Sequence, residues 1–162
     1  MTEKEQFLSA LERESATTLK LLKAFPGAKG DLRPHERSKS AKDLAWVFVA
    51  EGFMADGALQ GAIDFSKPMP SAPASMGEVI TAFETARRSM VEKIQKTPDA
   101  ELNKTMKFPT GPKQMSDLRR MDVLWTTLMD QVHHRGQFSV YLRMAGGKVP
   151  SIYGPTADEP WT

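Results

Sequence analysis

Asp130 and His134 stand four residues apart in the last long helical run of the chain, so on a helix they share a face, one turn from each other. A carboxylate and an imidazole at that spacing can share a metal ion, share a proton, or simply pair in a core. Two of the three histidines sit side by side here, His133 and His134. His133 points about a quarter-turn away from the face of its neighbour, toward solvent or an interface. A second carboxylate belongs to the same argument. Glu51 falls in the middle of an apolar stripe, where an ionised side chain is costly unless it is paired or coordinates something.

Glu51, Asp130 and His134 could therefore converge across two helices into a two-carboxylate, one-histidine metal site, with His134 as the catalytic residue of the set. Such a site would favour harder ions such as Mn, Fe or Mg over a three-histidine site. The alternative is a hydrogen bond from His134 to Glu51 or Asp130 with no metal, since buried polar groups are paired far more often than they are catalytic. Val47, one turn before Glu51, joins Gln137 and Tyr141 as the expected lining of a substrate pocket. Gln137 lies near the direction of Asp130 and could hydrogen-bond behind the site or sit capped in the core. The Tyr141 hydroxyl could donate to a substrate anion or serve core packing. His35, in a proline-flanked loop, reads as exposed.

The elements that position these residues are legible from caps and periodicity. Thr2-x-x-Glu5 is a capping box, and Phe7, Leu8, Leu11, Leu19 and Leu22 follow at spacings suited to one buried helical face. Pro26-Gly27 stops that helix, and residues 28–39 read as a loop. Ser40 opens a second helix with the stripe Leu44, Val47, Phe48, Ala55, Ala58 and Leu59. A proline-punctuated connection (Pro68, Pro70, Pro73) leads to a third helix capped by Ser75-x-x-Glu78, with Val79, Ile80, Phe83, Met90, Val91 and Ile94 on one side. Thr97-Pro98 ends it. Residues 98–102 read as one further helical turn, and 108–115, with two prolines and a glycine, as loop. The fourth helix begins between Ser116 and Met121 and runs to Ala145, where Gly146-Gly147 ends it. Its second apolar strip, Trp125, Met129, Val132 and Val140, faces away from the site, with Gly136 leaving room for a neighbour. A helix apolar on two sides is central or shared with a partner, so a homodimer is expected. The tail from 148 to 162, with three prolines, reads as extended across the surface.

Four amphipathic helices and no convincing strand predict an all-α four-helix bundle with an extended C-terminal tail, a single domain over residues 1–162. In such bundles, sites are built in the core from facing helices. A net charge of +2, with Lys and Arg interleaved among Asp and Glu, argues against nucleic-acid binding. The absence of cysteine excludes disulfides and cysteine nucleophiles and suits a reducing compartment. No apolar run approaches membrane-spanning length, and the charged start, Met1-Thr2-Glu3-Lys4-Glu5, lacks the apolar core of a signal peptide. A cytoplasmic protein is expected, with no membrane partner.

His134-Arg135-Gly136-Gln137-Phe138, then Tyr141-Leu142-Arg143, then Gly147-x-Val149-Pro150-x-Ile152-Tyr153-Gly154-Pro155, resembles the end of the DinB and YfiT-like family. Ser40-Ala41-Lys42-Asp43-Leu44-Ala45-Trp46 resembles the start of that family's second helix. The resemblance implies a four-helix bundle, frequently dimeric, holding a divalent metal (Mn, Fe, Ni or Zn) with three histidines. It also implies thiol-dependent transferase or isomerase activity, or metal-dependent hydrolysis. This chain departs from the pattern: the histidine expected in the second helix falls at Val47, and the first of the last-helix pair falls at Asp130. Only His134 keeps its identity. Two readings follow. One is a small-molecule binding or stress-associated dimer with a degraded metal site. The other is a metal-dependent thiol transferase, isomerase or hydrolase using Glu51, Asp130 and His134.

Overall fold

The computed structural model describes every residue except Lys67. Four main helices form the bundle: α1 (Glu3–Ala24), α2 (Ala41–Gln60), α3 (Met76–Lys96) and α5 (Arg120–Met144), with α4 (Asp99–Leu102) a single turn after α3. α2 packs against α5 and α3, and α1 packs against the same two, so α1 and α2 stand diagonally across the bundle.

The helix starts are chemically fixed. The Thr2 side chain accepts from the Glu5 amide while the Glu5 carboxylate accepts from the Thr2 amide, and Ser75 and Glu78 repeat the arrangement at α3. Ser40 accepts from the Asp43 amide at α2. Gly61 closes α2 with a φ of 84°, in the left-handed region, and a Cβ there would also lie 2.3 Å from the Arg120 guanidinium.

Residues 105–119 correct the expected loop. They form an antiparallel hairpin, β1 (Thr105–Gly111) and β2 (Gln114–Arg119), with Phe108 opposite Ser116 and Met106 opposite Leu118. Pro109 and Pro112 suggested a break. A two-stranded ribbon has only edges, however, and an edge tolerates proline where its missing N–H would face solvent. Met106 is buried and Phe108 half-buried on one face of β1, while Lys107 turns outward to pair with Asp117 at 2.8 Å.

The interior is divided in two. One apolar cluster joins Leu21, Leu22 and Phe25 to Leu44, Phe48, Val79, Phe83, Phe138 and Leu142. The other joins Phe7 and Leu11 to Ala55, Ala58, Ile94, Leu102, Met106, Met121 and Leu124. Between them lies a polar waist: Glu14, Ser15 and Thr18 on α1, Glu51 on α2, and Thr127, Gln131 and Arg135 on α5 are all buried.

The tail runs over the surface as expected. It is tied down by the Val149 amide on the Asp158 carboxylate at 2.8 Å, the Ser151 amide on Glu159 at 2.7 Å, and the Glu159–Lys20 ion pair at 2.8 Å. Among the described residues, no helix is long and apolar enough to cross a membrane.

Candidate metal centre

Glu51 occupies the stripe position of α2 where Leu44, Phe48, Ala55 and Ala58 turn inward, so the helix carries its carboxylate into the bundle with only 6% exposure. Among the described residues its Oε1 has no hydrogen-bond partner. Across the α2–α5 interface His134 Nδ1 stands 3.7 Å from that oxygen, close enough to feel its charge and too far for a hydrogen bond. The same nitrogen lies 3.4 Å from Asp130 Oδ2 and 3.0 Å from the Asp130 carbonyl oxygen, one turn back on α5. One ligand atom from each of Glu51, Asp130 and His134 falls within 4.8 Å of the others, so the group could hold a metal ion.

Burial pushes the Glu51 carboxyl up to about 7, the nearby imidazole opposing that rise and the Asp130 charge adding to it. The Glu51 side chain raises His134 above its ordinary value, against the effect of partial burial and with the help of Asp130. Protons therefore compete with a metal ion for both groups.

The three residues meet as expected, but not inside a closed interior. Asp130 is exposed and His134 partly so; of the three, only Glu51 lines the small core cavity of the waist, about 20 Å³ and large enough for one water. Arg87 of α3 reaches the same cavity, and its Nε also lacks a hydrogen-bond partner.

Two surface grooves flank the Asp130–His134 turn. One, of about 380 Å³, is lined by Glu51, Asp130 and His133 together with Met54, Phe108 and Met129. The other, of about 450 Å³, is lined by His134, Gln137 and Tyr141 with Pro34, Lys39 and Val140. Gln137 and Tyr141 thus lie beside His134 as pocket residues. Val47 is half-buried and is not among the residues lining either groove. Gln137 reaches the exposed His133 at 2.9 Å rather than backing Asp130. Tyr141 is buried, and its hydroxyl donates to the Lys39 carbonyl at 3.1 Å.

The second strip of α5 also needs correction. Trp125 packs edge-on against Phe7 at 4.9 Å, inside the chain. Met129 and Val140, more than half exposed, border the two grooves rather than facing away from them. Among the described residues, nothing beyond its chain neighbours and its own helical backbone comes within 4 Å of a Cβ built at Gly136.

A buried cluster escaped the reading of the sequence. Arg135, 1% exposed, donates to the Glu14 carboxylate at 2.8 Å and to the Glu14 carbonyl at 3.0 Å. The Tyr153 hydroxyl from the tail meets both residues. Burial alone would push the Glu14 carboxyl up. Bonds from Tyr153, Arg135 and Arg13 outweigh it and hold the group below its ordinary value. The signal was present: Glu14 and Thr18 continue the α1 stripe between Leu11 and Leu22, as Glu51 continues that of α2.

The sequence profile of the DinB family matches residues 1–161. The chain is 26% identical over 160 residues to YrdA, an uncharacterised protein of Bacillus subtilis (strain 168), spanning 96% of this chain and 90% of that protein. Its fold is similar to that of a DinB-like protein from Bacillus cereus ATCC 10987, with a TM-score of 0.77 at 24% identity over 92% of this chain and 97% of that one. It is also similar to the DinB-like YjoA of Bacillus subtilis, with a TM-score of 0.73 at 17% identity over 91% and 97%.

Proposed function

The chain belongs to the DinB family, and on that premise we propose that it binds a divalent metal ion through Glu51, Asp130 and His134 and acts on a small molecule as a transferase or hydrolase. The observation that carries this reading is the Glu51 Oε1 atom: buried, without a donor, and facing two further ligand groups. A buried carboxylate oxygen left without a partner is costly, and a cation relieves that cost. Metal–ligand distances near 2.1 Å put neighbouring donors roughly 3 Å apart and opposite donors roughly 4 Å apart. The 3.4 and 3.7 Å separations lie within that span.

Two carboxylates to one imidazole favour Mn2+ or Fe2+ over the softer choices. Such an ion supplies Lewis acidity to an oxygen or sulfur of the substrate. The chain's own groups do the rest. Glu51 fixes the inner side of the site from a rigid helix. Asp130, exposed, is free to adjust its rotamer. His133, on the groove rim beside Gln137, is placed to take a proton from a bound substrate or return it. Two copies pairing through the exposed Met129 and Val140 would cover the open sides of both grooves.

A second reading is a metal-free small-molecule binder, with the family's histidines replaced at Val47 and Asp130. The 3.0 Å contact of His134 Nδ1 with the Asp130 carbonyl favours it, because that bond already occupies the nitrogen nearest the carboxylates. Metal analysis of protein purified without a histidine tag, followed by titration with Mn2+, separates the two. The metal reading expects about one ion per chain in the unmodified protein and none in Glu51→Gln. If the unmodified protein takes up no divalent ion even at saturating concentration, the metal reading fails and the second stands.

A further inference from the structure

The groove beside Glu51 has a chemically mixed lining. Glu51, Asp130 and His133 supply titratable groups to its lining and Met54, Phe108 and Met129 apolar ones, while the Thr126 and Thr127 hydroxyls are bonded back to their own helix. We propose that this groove selects substrates carrying an uncharged apolar group, with a metal-binding head at the carboxylates and the apolar group laid against Met54 and Phe108. The inference rests on the metal reading above and deepens it by naming the substrate class.

Four observations carry it. The head of the ligand has an address, because Glu51 is nine-tenths buried and its Oε1 is unpartnered at the groove. The apolar members of the lining, two thioethers and a phenyl ring, carry no charge, are polarizable and adapt to apolar shapes. The wall is held in place: Phe108 shares a β1 face with Met106, which is 4% exposed and embedded in the second apolar cluster. Met54 is likewise fixed, three residues after Glu51 on α2, which places it next to Glu51 on the helix surface. Finally, the groove volume of about 380 Å³ sits at the small end of the roughly 300–1,000 Å³ typical of ligand pockets. A compact substituent fits it.

The test uses full-length protein loaded with Co2+, whose visible spectrum reports coordination, titrated with linear alkyl hydroxamates from acetohydroxamate to hexanohydroxamate. The chelating head is constant along the series and only the apolar tail grows. Full burial is worth about fourfold per methylene, so affinity should rise two- to fourfold per added methylene until the groove is filled. Phe108→Ala and, on a different element, Met54→Ala should each flatten that slope. Neither should move the Kd of Co2+, which also verifies that the variants are folded. Equal affinities along the series, or an unchanged slope in both variants, overturn the proposal and leave the metal reading intact. Failure of the unmodified protein to bind Co2+ overturns the metal reading and this proposal with it.

Discussion

Glu51 Oε1 and His134 Nδ1 face each other at 3.7 Å across the α2–α5 interface with no hydrogen bond between them. The pair senses charge without being locked by it. That makes its protonation state, and any cation it holds, the main variable of the site.

In the metal-free protein the pair loses stability as pH rises. Glu51 goes from an ordinary 4.5 to about 7 on folding, and His134 is raised above its ordinary 6.5. A raised group contributes stability that is complete below its unfolded pKa and lost as pH climbs through the folded one. The Glu51 contribution fades from about pH 4.5 to above 7 and amounts to on the order of 3 kcal/mol; that of His134 fades above 6.5. Melting temperature in EDTA should therefore fall between pH 5 and 8, and Glu51→Gln should flatten the curve. A melting temperature that rises over that window in the unmodified protein would contradict the assignment.

Added Mn2+ should reverse the trend, because ions bind the deprotonated ligands and gain on protons as pH rises. The increase in melting temperature caused by Mn2+ should be larger at pH 8 than at pH 6. His134→Ala should abolish the increase at both while leaving the helical circular dichroism signal in place. A Mn2+ effect that survives in His134→Ala removes that residue from the ligand set.

Arg135→Met strands the Glu14 carboxylate in the waist and should cost about 3–5 kcal/mol. Adding Glu14→Leu should recover most of that loss, since apolar residues of similar size replace buried ion pairs with little penalty. Tyr153→Phe should cost on the order of 1 kcal/mol. Urea denaturation of the single and double variants measures all three. A double variant as unstable as Arg135→Met alone would show that the pair acts through more than its charge.

Val140→Arg puts a charge on the exposed α5 face beside the second groove. Light scattering should show a dimer for the unmodified protein and a monomer for the variant, with little change in melting temperature for the folded unit. A monomeric unmodified protein removes the pairing proposal.

The bundle was readable from its ends and stripes because both are local signals. A serine or threonine three residues before a glutamate favours a helix start where a break precedes it and an apolar stripe follows, as at Thr2 and Ser75. Glu51 was readable as an interruption of a stripe, and its meeting with Asp130 and His134 followed from helix geometry. The hairpin was not readable, because Met106 and Phe108 give only one period of alternation and the prolines beside them argue for a break. Nor was the meeting of Glu14 with Arg135 and Tyr153, although Glu14 itself interrupts the α1 stripe. The three come from α1, α5 and a tail without periodicity, and only the tertiary arrangement makes them neighbours.

The polar waist separates what keeps this molecule folded from what distinguishes it chemically. Phe48, Phe83 and Phe138 at one end, and Phe7, Leu124 and Met106 at the other, pack the helices together on either side of it. A change of side chain at the exposed edge of this level, such as at Asp130, leaves both apolar ends packed. Selection can therefore trial new ligand sets here at small cost to the scaffold. Divergence in this fold should accumulate as exchanged side chains around one level of the bundle, while the helices above and below keep their register.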